Sequence, residues 1–240
     1  MDSPATVEHY KAGMLLSGVG DAIGFRWEFD YSGPAIHEAV KKLGGLKNIT
    51  VELHDWPVSD DTVLHLATAE ALATGKEGEE LLQEVALRYV EGMKDMKGRA
   101  PGGCTTAEWN DQRQLHTSLR YLELRGLSSG TGPVVWPDPY GPAERDEAYK
   151  SFSWSGWGGS SGHDAPMIAL DALLGAGSNW EELMNRVAFH GGDSDSTAVI
   201  ACCCWGLLYG TEGVPPGNYN YLEYRDRLEN SAVRLFELSH

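Results

Sequence analysis

Two stretches of this sequence, Ser59-Asp60-Asp61-Thr62 and Asp193-Ser194-Asp195-Ser196-Thr197, set paired carboxylates and hydroxyls directly ahead of apolar runs. A helix start carries partial positive charge and unpaired N–H groups, so either stretch alone reads plainly as an N-cap with an extra acid. The repetition of the design changes that reading. If both open core helices, their acidic ends converge, and carboxylates gathered without counter-charge raise one another's pKa. A divalent cation resolves the conflict. The donors on offer are oxygens only, with no His or Cys at zinc-ligand spacing, which points to Mg²⁺ or Mn²⁺ and leaves room for two ions. The second stretch lacks the later ligands of an EF-hand.

A third segment, residues 151–163 (SFSWSGWGGSSGH), combines glycine, serine and tryptophan more densely than any other part of the chain. Its plain reading is a surface loop. Its functional reading is a phosphate or ribose cradle, with glycines letting backbone N–H groups approach an anion and serines adding hydrogen bonds. Two tryptophans favour a structured loop. His163 and His65 read as structural; His190, just ahead of Gly191-Gly192, reads equally well as structural or as lining a site.

These residues need helices to position them. Residues 8–25 read as an apolar helix whose Gly13, Ser17, Gly18, Gly20 and Gly24 weaken it in isolation and suit close backbone packing. Residues 33–44 give a short amphipathic helix, 59–73 a strong one capped by Ser59 or Asp60, and 77–95 another. Further helices are expected over 107–125, from Asp164 as cap, over the stretch ending at Gly191, from Ser196 or Thr197, and over 220–238. Gly126–Pro142 reads as a connection. No period-two run stands out, so the fold class is all-α, a globular multi-helix bundle in a single domain.

Composition narrows the function classes. Nineteen Lys and Arg against 35 Asp and Glu leave a net charge of −16, which repels phosphate backbones and argues against nucleic-acid binding. No basic region leads into a long apolar stretch at the start of the sequence, and no segment is long and apolar enough to span a membrane. Three of the four cysteines, Cys202, Cys203 and Cys204, sit together in an apolar run and read as small core residues. The expectation is a soluble protein of a reducing compartment, the cytoplasm.

GDAIG near the start, WEF at 27–29, SDDT at 59–62 and GGDSDST at 191–197 together resemble the ADP-ribosylglycohydrolases. VSDDTVLHLATAEAL, GRAPGG and SGWGGSSGHDAPMIALDA are similar to the branch that acts on ADP-ribosylarginine. The match covers both ends of the chain, about 8–104 and 107–238, with the motifs in family order. The resemblance implies an all-α enzyme that removes ADP-ribose from arginine on proteins, cleaving the bond between ribose C1″ and the guanidino nitrogen. It implies that Ser59, Asp60 and Asp61 ligate one Mg²⁺. Asp193, Asp195 and Ser196 would complete a binuclear centre, with Asp195 as the bridge. Glu28 would be a gate or polar orienter beside the metals, and Ser155, Gly156, Ser161 and Gly162 would contact ADP-ribose. The proton-handling group is one of Asp60, Asp61 and Glu28. A catalytically silent branch has lost acidic metal positions, and this sequence keeps them.

The resemblance breaks near Cys104–Ala107, where a long central stretch carried by family members is absent. That stretch holds a second glycine-rich ligand loop and several core helices. Its loss leaves apolar faces uncovered, at roughly 25 cal/mol per Å². The expectation is a monomer, or a dimer if such a face is left bare, that either turns over or binds ADP-ribose and metal silently.

Overall fold

Helix α1, Val7–Phe25, runs through the middle of the molecule with residues 12–24 buried. In the computed structural model, the described residues are 5–101, 121–127, 133–153 and 156–239. After α1 come α2 (Gly33–Lys42), α3 (Asp60–Leu72), α4 (Gly78–Gly92), α5 (Pro142–Phe152), α6 (Asp164–Ala176), α7 (Trp180–Val187), α8 (Ser194–Tyr209) and α9 (Arg225–Ser239). Among the described residues there is no β-strand, only the isolated bridges Glu52–Tyr221 and Gly158–Gly192. The all-α expectation holds.

The small residues of α1 do what their spacing suggested. A Cβ on Gly20 would lie 2.6 Å from the Ala198 carbonyl oxygen, and one on Gly24 would lie 2.5 Å from that of Ser194. From the other side, a Cβ on Gly206 would lie 2.5 Å from the Ala12 carbonyl oxygen. The pairings run in opposite directions, so α1 and α8 are antiparallel and touch backbone to backbone. Leu16, Val19, Ile23, Ala198, Ala201, Cys202 and Trp205 fill the core around this contact. Helix α9 packs across α1 and α3. A second, smaller cluster joins Tyr121, Tyr149, Phe152, Met167 and Ile168.

Several boundaries differ from the sequence expectation. Helix α5 was not anticipated at all, because its buried residues include Arg145 and Asp146 and so break the apolar period. Helix α8 begins at Ser194 with Asp193 as its N-cap, two residues earlier than expected. Asp164 is the first residue of α6, not its cap. The last helix begins at Arg225, after turns and a 3-10 segment at Pro216–Asn218. The expected helix over 107–125 and the break near Cys104–Ala107 lie largely outside the described residues.

Helix α4 buries none of its side chains fully. Leu82, Leu87 and Val90 are 70%, 66% and 64% exposed, with Met93 at 48%. Four large apolar side chains on and just after this helix are thus open to solvent.

Adding one methyl group at the α1–α8 contact should be costly, because backbone atoms cannot rotate away. Gly24→Ala is expected to lose about 1–3 kcal/mol in urea unfolding. Leu82→Gln, on the exposed face of α4, should change stability by less than about 0.5 kcal/mol.

Candidate active site

The two acidic helix starts are held from behind. Buried Asp21 of α1 accepts the Ser59 N–H at 3.1 Å and the Thr62 N–H at 3.0 Å, fixing the first turn of α3. Ser59 is the N-cap, its hydroxyl accepting the Asp61 N–H at 3.0 Å. From the outer side, Arg99 donates to the Val58 carbonyl at 2.7 Å and pairs with Glu223 at 2.8 Å. The Asp60 N–H donates to the Arg99 carbonyl. At the second start, Asp193 caps α8 by accepting the Ser196 N–H, while the Ser194 hydroxyl donates to the Gly24 carbonyl at 2.9 Å.

The two starts meet. The Ser196 hydroxyl donates to Asp61 Oδ2 at 2.8 Å, joining α3 to α8 across 135 positions of sequence. Glu28, Asp193 and Asp195 each offer a carboxylate oxygen within 4.8 Å of the others. Glu28 and Asp195 are buried, at 8% and 4% exposure. Glu28 Oε2 is buried and accepts no hydrogen bond.

Burial and mutual repulsion set the electrostatics. Glu28 is pushed up to about 7 by burial and then by Asp193, Asp60 and Asp21. Asp61 is also pushed up to about 7, by burial and then by Asp21, with the Ser196 hydrogen bond opposing. Asp195 is raised by burial and by Asp193 beside it. Asp21 rises to about 6 through burial, opposed by its hydrogen bonds to Thr62 and Ser59. The charges acting most on Glu28, Asp61 and Asp195 are all carboxylates. A hard divalent cation fits this donor set, and the unsatisfied Glu28 oxygen is a ready ligand or water acceptor.

The glycine-rich segment lies against the second start. The Asp193 N–H donates to the Gly158 carbonyl at 3.0 Å. Gly159 has φ +100°, and a Cβ there would sit 2.6 Å from the Asp193 carbonyl oxygen. The loop is wound around Asp164, whose carboxylate accepts the Gly159 N–H, the Ser161 N–H and the Ser161 hydroxyl at 3.1, 2.9 and 2.8 Å. Those backbone N–H groups therefore point inward and do not form the open anion cradle the composition suggested. Gly156 and Gly162 are exposed beside it. Ser155 lies outside the described residues.

His163 is buried, bonded to the Phe152 carbonyl and the Ser161 hydroxyl. His65 sits within α3, its pKa lowered by burial. His190 lies behind the site, its Nε2 2.9 Å from the Thr197 hydroxyl, with burial holding its pKa down at about 3. Sequence reasoning missed Asp21, Arg99 and Glu223 as supports. Asp21 carried a readable signal, an acid alone in the small, apolar run GVGDAIG; Glu223 carried none.

Sequence comparison agrees with this architecture. The sequence model of the family described as ADP-ribosylglycohydrolase matches residues 2–135 and 124–240. The ADP-ribosylhydrolase ARH1 of Dictyostelium discoideum is 30% identical over 367 residues, covering 95% of this chain and 93% of that protein.

The raised carboxyl pKa values fix a pH dependence for the cation-free chain. Between the unfolded value near 4 and the folded value of about 7, the folded chain keeps protons that the unfolded chain has lost. Stability therefore falls as pH rises through that window. Thermal unfolding in EDTA should give a higher Tm at pH 5 than at pH 7.5. Glu28→Gln should flatten the slope, and Mg²⁺ should restore the Tm at pH 7.5, since deprotonated ligands bind cations better.

Proposed function

This chain belongs to the ADP-ribosylglycohydrolase family, and on that footing we propose that it is a Mg²⁺-dependent hydrolase of ADP-ribosylarginine. In this reading it reverses mono-ADP-ribosylation of proteins by cleaving the N-glycosidic bond. The observation that carries the proposal is the Ser196–Asp61 hydrogen bond, because it brings both acidic helix starts to one place.

Ser59, Asp60, Asp61, Asp193, Asp195 and Ser196 would hold two ions, Mg²⁺ or Mn²⁺. When bound, the ions would position the ribose hydroxyls, lower the pKa of a water and stabilise an oxocarbenium-like transition state. Asp195 suits the bridging position, being the more buried of the two α8 acids. Among Asp60, Asp61 and Glu28, Glu28 fits proton handling best, since its Oε2 has no hydrogen-bond partner and the residue belongs to neither helix start. Gly156 and Gly162, exposed in the loop whose Gly158 bonds the Asp193 N–H, would receive the ADP-ribose, with Ser155 and Ser161 completing the contact. Ser161 would have to share a hydroxyl already bonded to Asp164 and His163. Nucleic acid is no part of this reading. No helix among the described residues is long and apolar enough to cross a membrane, and a cytoplasmic setting suits the free thiols of Cys202, Cys203 and Cys204.

The chain is also proposed to lack a central region near Cys104–Ala107. Two observations support this: the alignment to the relative runs longer than the chain itself, and the apolar face of α4 is exposed. That face favours a second reading, a variant that binds cation and ADP-ribose without turnover. In either reading the chain acts as a monomer unless a second copy covers α4.

Release of ADP-ribose from ADP-ribosylarginine, followed in Mg²⁺ and in EDTA, separates the readings. Mg²⁺-dependent release, abolished by Asp61→Asn and Asp195→Asn in folded protein, is the expected result. Turnover indifferent to both substitutions would sink the proposed centre. No release, with a Tm raised by ADP-ribose only in Mg²⁺, would establish the silent variant. That shift should follow mass action, about 2.7 kcal/mol at a hundredfold excess over Kd.

A further inference from the structure

Helix α5 carries a buried acid outside the cluster described above. Asp146 is 4% exposed, and its two oxygens serve two different segments. Oδ2 accepts the Gly33 N–H at 2.6 Å, and Oδ1 accepts the Gly191 N–H at 2.9 Å. Gly33 is the first residue of α2 and lies five positions after Glu28. Gly191 lies two residues before Asp193, in the turn that delivers Asp193 and Asp195. One carboxylate therefore joins the segment bearing Glu28 to the segment bearing the other two acids.

The joint has no slack. A Cβ on Gly33 would lie 2.6 Å from Asp146 Oδ1, and one on Gly191 would lie 2.6 Å from the Tyr31 backbone. Gly191 and the Tyr31–Gly33 segment thus meet backbone to backbone, and the Asp146 side chain is bonded to both. Its position is itself fixed, because neighbouring Arg145 donates to the carbonyls of Tyr140 and Asn185. Two N–H groups of otherwise irregular chain, buried at the joint, have this carboxylate as their acceptor. Ion-ligand geometry depends on such outer contacts, whose loss commonly weakens metal binding 10- to 100-fold.

We propose that Asp146 is a positioning residue for the cation centre: it sets the spacing between Glu28 and the pair Asp193 and Asp195 by clamping the N–H groups of Gly33 and Gly191. The inference rests on the divalent-cation reading given above. It assigns Asp146 no contact with substrate or ion.

The test titrates the purified chain with Mn²⁺ alone, and then Mg²⁺ alone, by calorimetry, alongside Asp146→Asn and a control, Leu183→Ala. Leu183 is fully buried on α7, so its truncation destabilises the chain without removing a hydrogen bond made by Asp146. Asp146→Asn keeps the volume but turns one acceptor into a donor facing an N–H. The expected result is a Kd at least tenfold weaker for Asp146→Asn, with Leu183→Ala binding like the wild type. Unchanged affinity in Asp146→Asn overturns the proposal. So does an equal loss in both variants, which would mark a general effect of lost stability. If Asp146→Asn does not fold, Asp146→Ser, smaller and still able to accept one N–H, takes its place. Should the wild type bind neither ion, the cation reading itself falls. The clamp is then judged by amide hydrogen exchange: faster exchange at Gly33 and Gly191 in the variant sustains it, and unchanged exchange removes it.

Discussion

Negative charge gathered in a buried place without a counter-charge is the constraint on which the rest of this chain turns. Glu28, Asp61 and Asp195 all hold their protons more tightly than free carboxyls do, because burial and one another's charge oppose ionisation. Left to relax, such groups would swing apart into water. They remain together because most of them ride on helix starts, where the backbone favours an acid, and because those starts are held in place by groups that bind the chain and not the acids.

That division of labour recurs throughout the site. Arg99 lies against the α3 start, yet its guanidinium is taken up by Glu223, the Val58 carbonyl and the Tyr224 hydroxyl. Arg145, next to Asp146, is spent on two carbonyls. Arg125 is paired with Asp171, which also accepts from Tyr121, Tyr140 and Tyr149. Each of these buried cations is satisfied elsewhere, and each fixes backbone or a neighbouring core. Asp21 works in the same way with the opposite charge, receiving N–H groups from Ser59 and Thr62. The supports are thus strong where they meet the chain and absent where they could neutralise the cluster, which keeps the acids available to a cation.

What could be read from the sequence follows from how local each cause is. The start of α3 was legible because its cap, first-turn acids and apolar run lie within a few residues. The glycine face of α1 was legible as a packing device because its spacing is that of one helix face, although α8 as its partner was not. The convergence of the two acidic starts was inferred from both opening core helices, and the Ser196–Asp61 bond joins them. Helix α5 was illegible because burying Arg145 and Asp146 erases the apolar period that marks a helix. The glycine-rich loop was misread in part. Its composition suits an anion cradle, but Asp164, taken for a simple cap, turns two of its N–H groups inward. An acid three residues downstream can do what a bound anion would do, and composition alone does not distinguish them.

The bare face of α4 and the acidic centre belong to different parts of the molecule, and this bears on what the loss of a central region can damage. Among the described residues, the contacts that hold the centre come from α1, α3, α5, α8, the 156–164 loop, and Arg99 with Glu223. None comes from Leu82, Leu87 or Val90 of α4, all of them exposed. Uncovering that face removes apolar burial from the periphery without removing a single hydrogen bond from the joints at Asp21, Asp146 or Ser196. A chain shortened as proposed above would therefore keep the Ser196–Asp61 bond that joins the two acidic starts. On the reading proposed above, cation binding and turnover would be separable properties, because the contact between the two acidic starts is made by the two ends of the sequence alone.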